Sequence, residues 1–251
     1  MQTGLLKEDC ALVTGAASGI GRGIAVALAQ EGARVILSDV DRQRGEDAAA
    51  QLCAAGHDVQ FLEADLATDN GPGTLLGKIA DLGQELSILV HAASPPRKEV
   101  DNVLAVADDT WDRMLAVNLR AAFTLTRETA RRMIVRRIKG RMLLVTSLHA
   151  HTPRNLPHYS AAKAGQTMLV KELARTLGPH GIRVNAIAPG AIPGGGFDAK
   201  GAGLERLTAC TSLRRLGTPE DVARATVFLA TAESAWITGI VLDVAGGAVM
   251  A

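Results

Sequence analysis

Seven short runs of β-branched and leucine side chains alternate with longer helical patterns from end to end of this chain, and that alternation constrains the fold most. The runs fall at residues 11–14, 34–38, 59–62, 88–91, 142–146, 183–188 and 240–244. Most are continuously apolar, as strands buried on both faces require; a sheet with one wet face would alternate instead. Helical spacing occupies 20–31, 43–55, 74–82, 110–138, 158–177 and 219–230. Within 110–138, Trp111, Met114, Leu115, Ala122, Leu125, Thr129, Met133 and Ile134 keep to one helical face. Strand, helix and parallel strand close through right-handed crossovers. The pattern predicts an α/β, doubly wound fold with about seven parallel strands and helices on both faces. No linker-like shift in composition interrupts residues 1–251, which read as a single domain. The irregular, Gly- and Pro-rich stretch 189–217 reads as a substrate loop or lid.

Composition narrows the function classes. With 47% hydrophobic but only 3% aromatic residues, the core must be built from Ala, Val, Leu and Ile. Twenty-seven basic residues against 26 acidic ones leave a net charge of +1, which gives no reason to expect a nucleic acid or a membrane as partner. Cys10, Cys53 and Cys210 are far apart and show no metal or redox spacing, so a reduced, cytoplasmic protein is expected. The opening residues lack the apolar run of a signal peptide, and no stretch approaches the ~20 apolar residues of a membrane helix.

The first strand runs into Gly15-Ala16-Ala17-Ser18-Gly19-Ile20-Gly21, and a helix begins there. A strand, a glycine turn and a helix N-terminus form a phosphate site, because free amides and the helix dipole face the anion. The spacing Gly-x-x-x-Gly-x-Gly differs from the commoner dinucleotide fingerprint, Gly-x-Gly-x-x-Gly. Asp39, at the end of the second strand, is placed to accept from adenosine ribose hydroxyls and to repel a 2′-phosphate. Ser18 stands where an arginine could have served that phosphate, and Val40 follows the acid, so NAD is favoured and NADP is less expected. Arg42 is the reservation, since it can swing toward a phosphate.

Tyr159 is the only tyrosine in the chain and precedes Lys163 by one helical turn. A phenol titrates near ~10, and a neighbouring ammonium favours its ionised form. Lowering that value by ~2–3 units takes ~3–4 kcal/mol. Taken alone, the pair more commonly means a packed aromatic beside a solvated lysine, and the remaining motifs must decide.

Those motifs are Thr14-Gly15-x-x-x-Gly19-x-Gly21, Asp65-Leu66, Asn118, Ser147, Tyr159-x-x-x-Lys163 and Pro189-Gly190, with Arg215 to Ala223 and Ile237-Thr238-Gly239 near the end. Together they resemble the short-chain dehydrogenase/reductase family, of the Tyr-x-x-x-Lys type and NAD-preferring, along nearly the whole chain. The resemblance implies a Rossmann fold and an oxidoreductase acting on alcohols or ketones. It implies Tyr159 as acid/base, Lys163 as the residue that holds the nicotinamide ribose and assists the tyrosine, and Ser147 as the ligand of the reacting oxygen. Asn118 corresponds to the asparagine that positions a water in a proton relay. Gly15, Ser18, Gly19, Ile20, Gly21 and Asp39 would line the dinucleotide, Asp65 and Leu66 the adenine, and Pro189, Gly190 and Ile192 the nicotinamide side.

Two departures stand out. His91-Ala92-Ala93-Ser94 replaces the family's Asn-Asn-Ala-Gly, so His91 either braces the sheet or adds a titrating group near the ribose. Gly194 lies near the place of a threonine that touches the nicotinamide amide in the family.

Arg97, His149, His151, Arg154 and His158 fall on segments that border the family's substrate pocket; they read either as a site for a polar or anionic substrate or as a solvated, oligomer-contacting surface. His149-x-His151 lacks an accompanying carboxylate or cysteine, so no metal is expected. The run Arg131, Arg132, Arg136, Arg137, Lys139 and Arg141 reads as the solvated end of a helix, or as a dock for an acidic carrier protein. The leading expectation is an NAD-dependent dehydrogenase of a small polar secondary alcohol, assembled as a homotetramer or dimer. The alternatives are an NADPH-dependent carbonyl or 3-oxoacyl reductase and a non-catalytic NAD-sensing protein.

Overall fold

The structure, a computed structural model, describes residues 4–97, 102–194 and 200–248. Strands β1 (Cys10–Thr14), β2 (Arg34–Asp39), β3 (Val59–Glu63), β4 (Ile88–His91), β5 (Arg141–Val145), β6 (Arg183–Pro189) and β7 (Val241–Val244) form one sheet. All of its pairings are parallel, in the order β3-β2-β1-β4-β5-β6-β7. The order reverses at β1, which lies between β2 and β4. In open α/β sheets ligands bind beyond the carboxyl ends of the strands at such a reversal.

Successive residues of a strand face opposite sides, so each strand feeds two cores. Val13, Val35, Leu37, Val90 and Ile187 pack with helices α1 (Gly19–Gln30), α2 (Arg42–Ala54) and α8 (Pro219–Ala230). Leu12, Ile36, Leu89, Met142 and Val184 pack with α3 (Gly71–Asp81), α5 (Ala121–Arg136) and α6 (Pro157–Leu177) on the other side. This is the doubly wound arrangement that the apolar runs predict. Helix α8 begins where its sequence asks: the Thr218 hydroxyl accepts from the Asp221 amide (3.3 Å), and the Asp221 carboxylate accepts from the Thr218 amide (2.8 Å). Among the described residues no helix is long and apolar enough to cross a membrane.

Two segments differ from the sequence reading. The helix expected over 110–138 is α4 (Asp108–Leu115), a π-helical segment at Ala116–Arg120 and then α5. Two side chains draw carbonyls away from the regular ladder there. The Asn118 amide donates to the Met114 carbonyl (3.2 Å), and the Gln166 amide donates to the Asn118 carbonyl (2.5 Å). Helix α5 stops at Arg136 because Arg137 turns to φ 57°. Trp111, expected on the apolar face, is partly exposed, whereas Met114, Leu125 and Met133 are buried. The segment expected to be irregular over 189–217 also carries a helix, α7 (Gly201–Ala209).

Candidate active site

The carboxyl ends of β1 and β2 make the first half of the site. Gly15 has φ +69°, and a Cβ on it would lie 2.7 Å from the Ala93 backbone. A Cβ on Gly21 would run into the Gly15 carbonyl. Both positions need glycine for the turn to approach β4 and close over itself. The Asp39 carboxylate then fastens the turn, accepting from the Ala17 amide (3.0 Å) and the Asp41 amide (3.1 Å). Ser18 caps α1 without a side-chain cap bond, and no acidic residue stands in the first turn. The helix end is thereby left open to an anion, as a dinucleotide pyrophosphate requires. Arg42 is engaged elsewhere: its Nε lies 3.1 Å from Glu46 and 3.7 Å from Glu63.

Around this turn, Asp65 follows β3 and accepts from the Ala67 amide (2.9 Å), while Leu66 is buried in the second core. Pro189 ends β6, the Gly190 amide donates to the Val244 carbonyl (3.1 Å), and Ile192 is buried beneath Gly217. Gly194 comes against Gly19, so the start of the expected lid rests on the glycine turn. Ile20 is partly buried on the first core.

His91 is fully buried at the end of β4. Its Nε2 lies 3.0 Å from the Val117 carbonyl, which can only accept, so that nitrogen carries the proton. Nδ1 then accepts from the Thr14 hydroxyl (2.9 Å), and that hydroxyl accepts from the Ala93 amide (3.3 Å). Both ring nitrogens are spent on bracing β1, β4 and the π-helical segment. Of the two readings open in the sequence, the structure fits the brace. Burial, followed by the Lys163 charge, pushes the imidazole down to about 3. The unfolded chain takes up this proton below the usual 6.5 and the folded one does not, so stability is lost as pH falls from 6.5 toward 3. By this route His91 should cost about 2 kcal/mol at pH 5 relative to pH 7.5. Urea unfolding of wild type and His91→Asn at the two pH values checks this: the variant should lose much of the acid dependence, and equal slopes would reject the account.

The second half of the site is built from β5, α6 and the π-helical segment. Ser147 follows β5 and is buried, its hydroxyl accepting from the His149 amide (3.3 Å). The His149 ring stands edge-on to the buried Tyr159 ring, with centroids 5.2 Å apart. Lys163 lies one turn further along α6, its Nζ 5.5 Å from the Tyr159 centroid. It donates to the Val145 carbonyl (2.7 Å) and to Gln166 Oε1 (3.1 Å). Burial, then the Arg97 charge, pulls Lys163 down to about 7. Asn118 is fully buried; its amide donates to Ser94 Oγ (3.3 Å), and its Oδ1 finds no partner among the described residues.

The structure thus gathers Asn118, Ser147, Tyr159 and Lys163 at the carboxyl edge beside the glycine turn. His151 and Arg154 are exposed, whereas His158 is buried at the start of α6. Two features went unrecognised in the sequence. Gln166 bridges Lys163 to the Asn118 carbonyl; its signal was a polar residue three positions after the lysine on a buried face. Arg97 lies across the Tyr159 ring, its Cζ 4.5 Å from the centroid.

A family profile described as enoyl-(acyl carrier protein) reductase matches residues 15–249. The chain belongs to the short-chain dehydrogenase/reductase family. It is an NAD(P)-dependent oxidoreductase acting on CH–OH groups. It is similar to the dog (3R)-3-hydroxyacyl-CoA dehydrogenase, 34% identical over 256 residues, with 98% of each chain covered. A crystal structure of a putative gluconate dehydrogenase from Agrobacterium tumefaciens superposes with a TM-score of 0.92 at 28% identity, covering 98% of both chains. A putative NAD(P)-dependent gluconate 5-dehydrogenase from Beutenbergia cavernae, with bound NADP at low occupancy, gives 0.87 at 30% identity, covering 96% of this chain and 97% of that one.

Proposed function

We propose that this short-chain dehydrogenase/reductase interconverts a small polar secondary alcohol and its ketone, with NAD as the preferred cofactor. The observation that carries the cofactor choice is the Asp39 carboxylate beside the glycine turn, with Arg42 held by Glu46 and Glu63. The carboxylate keeps lone pairs for ribose hydroxyls, and it would repel a 2′-phosphate. Gly15, Gly19, Gly21 and Ser18 would hold the pyrophosphate, and Pro189, Gly190 and Ile192 would border the nicotinamide. When bound, that ring supplies the hydride acceptor or donor.

In the oxidative direction Ser147 holds the alcohol oxygen by a hydrogen bond, and the Tyr159 phenolate takes its proton. The Lys163 ammonium stabilises the phenolate, and Val145 and Gln166 fix the ammonium in place. Neutral, buried Asn118 and Gln166 stand behind it. Steady-state kinetics with both cofactors test the reading: kcat/KM should favour NAD over NADP by more than about tenfold, since opposing an anion to a buried or half-buried carboxylate costs over 1.4 kcal/mol. A preference for NADP would support the rival reading, an NADPH-dependent 3-oxoacyl reductase.

A further inference from the structure

Among the described residues, no acid pairs with the cations around the tyrosine. The Arg97 guanidinium lies 4.5 Å from the centroid of the Tyr159 ring, and Lys163 Nζ lies 5.5 Å from the same centroid. The charge of Arg154 reaches His149, whose imidazole is held down to about 4 by burial, then Arg97, then Arg154, so the ring is neutral at neutral pH. Arg97 acts in the same way on Lys163. Elsewhere in the fold arginines meet acids: Arg141 pairs with Asp9, and Arg215 with Asp221. Among the described residues no carboxylate forms an ion pair with Arg97, Arg154 or Lys163.

A guanidinium stacked on an aromatic face still has its N–H fork free in its own plane, and that fork matches a carboxylate bidentately. We propose that Arg97 binds a carboxylate of the substrate, one or two carbons away from the carbon that bears the reacting oxygen, so that the substrates are short 2- or 3-hydroxy acids and their keto counterparts. The inference rests on the assignment of Tyr159 as the proton acceptor. Spacing follows from the stacking: an oxygen bonded to the phenol and a carboxylate bonded to the guanidinium are held by two groups that lie against each other. One or two intervening carbons span that gap, and a long chain does not. Charge supports the same ligand. A substrate that closed over Arg97 without supplying an anion would strip water from a cation that pairs with no carboxylate among the described residues, whereas a carboxylate replaces that water with charge-assisted hydrogen bonds.

The test compares 2- and 3-hydroxybutyrate with 3-hydroxybutyramide and with the N-acetylcysteamine thioester of 3-hydroxybutyrate, all with NAD. The better acid should exceed the amide in kcat/KM by about 30-fold or more, the usual worth of a charged hydrogen-bonded pair. In Arg97→Met that acid-to-amide ratio should fall to near one, through KM for the acid, and Arg97→Lys should restore part of it. Arg132→Met, an exposed arginine on α5 away from the site, should leave the ratio unchanged. Binding is read apart from turnover by calorimetric titration of 3-hydroxybutyrate into enzyme saturated with NADH; Arg97→Met should weaken it at least about tenfold. NADH binding without binding of the acid overturns the carboxylate site. So do equal rates for acid and amide, a preference for the thioester over the free acid, and an unchanged ratio in Arg97→Met. If Tyr159→Phe keeps its turnover, the catalytic assignment fails instead, and the two failures are read on different variants.

Discussion

Replacing Tyr159 with phenylalanine should lower kcat by about 10²- to 10⁴-fold, the range over which a positioned acid/base contributes, while NADH affinity stays within a few-fold. The substitution removes one oxygen and keeps the ring. The edge contact from His149 and the stacked Arg97 both address the ring itself, so the packing of α6 survives. The cofactor side of the site is equally untouched, because the glycine turn is fastened through Asp39 and Lys163 donates to Val145 and Gln166. A fall in kcat with an unaltered thermal midpoint and NADH titration is therefore the specific signature of a lost proton acceptor. Retention of more than about a tenth of wild-type turnover would be incompatible with any general acid/base role of this size.

The layout of the fold was readable because its signals are local. Buried strands announce themselves by continuous apolar runs, and Thr218 to Asp221 caps α8 within four residues, so its bounds match the expectation. The residues at the strand ends were readable for a related reason. Gly15 to Gly21 and the Tyr159–Lys163 pair sit in short motifs whose spacing is set by one turn or one helix, whereas Asp39 and Ser147 lie at strand ends, and Ser147 was placed through the family resemblance.

What escaped depends on residues far apart in sequence. The π-helical segment at Ala116–Arg120 exists where Gln166, 48 residues away, takes the Asn118 carbonyl. Periodicity over 110–138 cannot register that capture. Helix α7 was passed over because Gly201 and Gly203 dilute its pattern. His91 admitted two readings until both of its nitrogens were seen to be occupied, by Thr14 on one side and Val117 on the other. The stacking of Arg97 on Tyr159 joins the loop after β4 to α6, a contact no window of sequence contains.

Gln166→Leu should lower kcat/KM by about 10- to 100-fold and move the upper limit of its pH profile downward by ~1–2 units, whereas Gln166→Glu should move that limit upward. The sign follows from which form of Lys163 each side chain favours. Gln166 Oε1 accepts from the ammonium, so it supports the charged form against the burial and the Arg97 charge that pull this lysine down to about 7. Leucine removes that acceptor, and the ammonium gives up its proton at lower pH. Glutamate sets an anion at the same place, and the ammonium persists to higher pH. Two other groups that face Lys163 do not supply this pattern: the Val145 acceptor is a backbone carbonyl, and buried His91 stays neutral down to about 3. Because kcat/KM reports titration of the free enzyme, its profile is the proper readout. A purely packing role would depress activity in both variants without moving the profile, and shifts in the same direction for leucine and glutamate would contradict the bridge. The opposite shifts would identify Gln166 as the positioning residue that keeps the lysine charged behind the tyrosine.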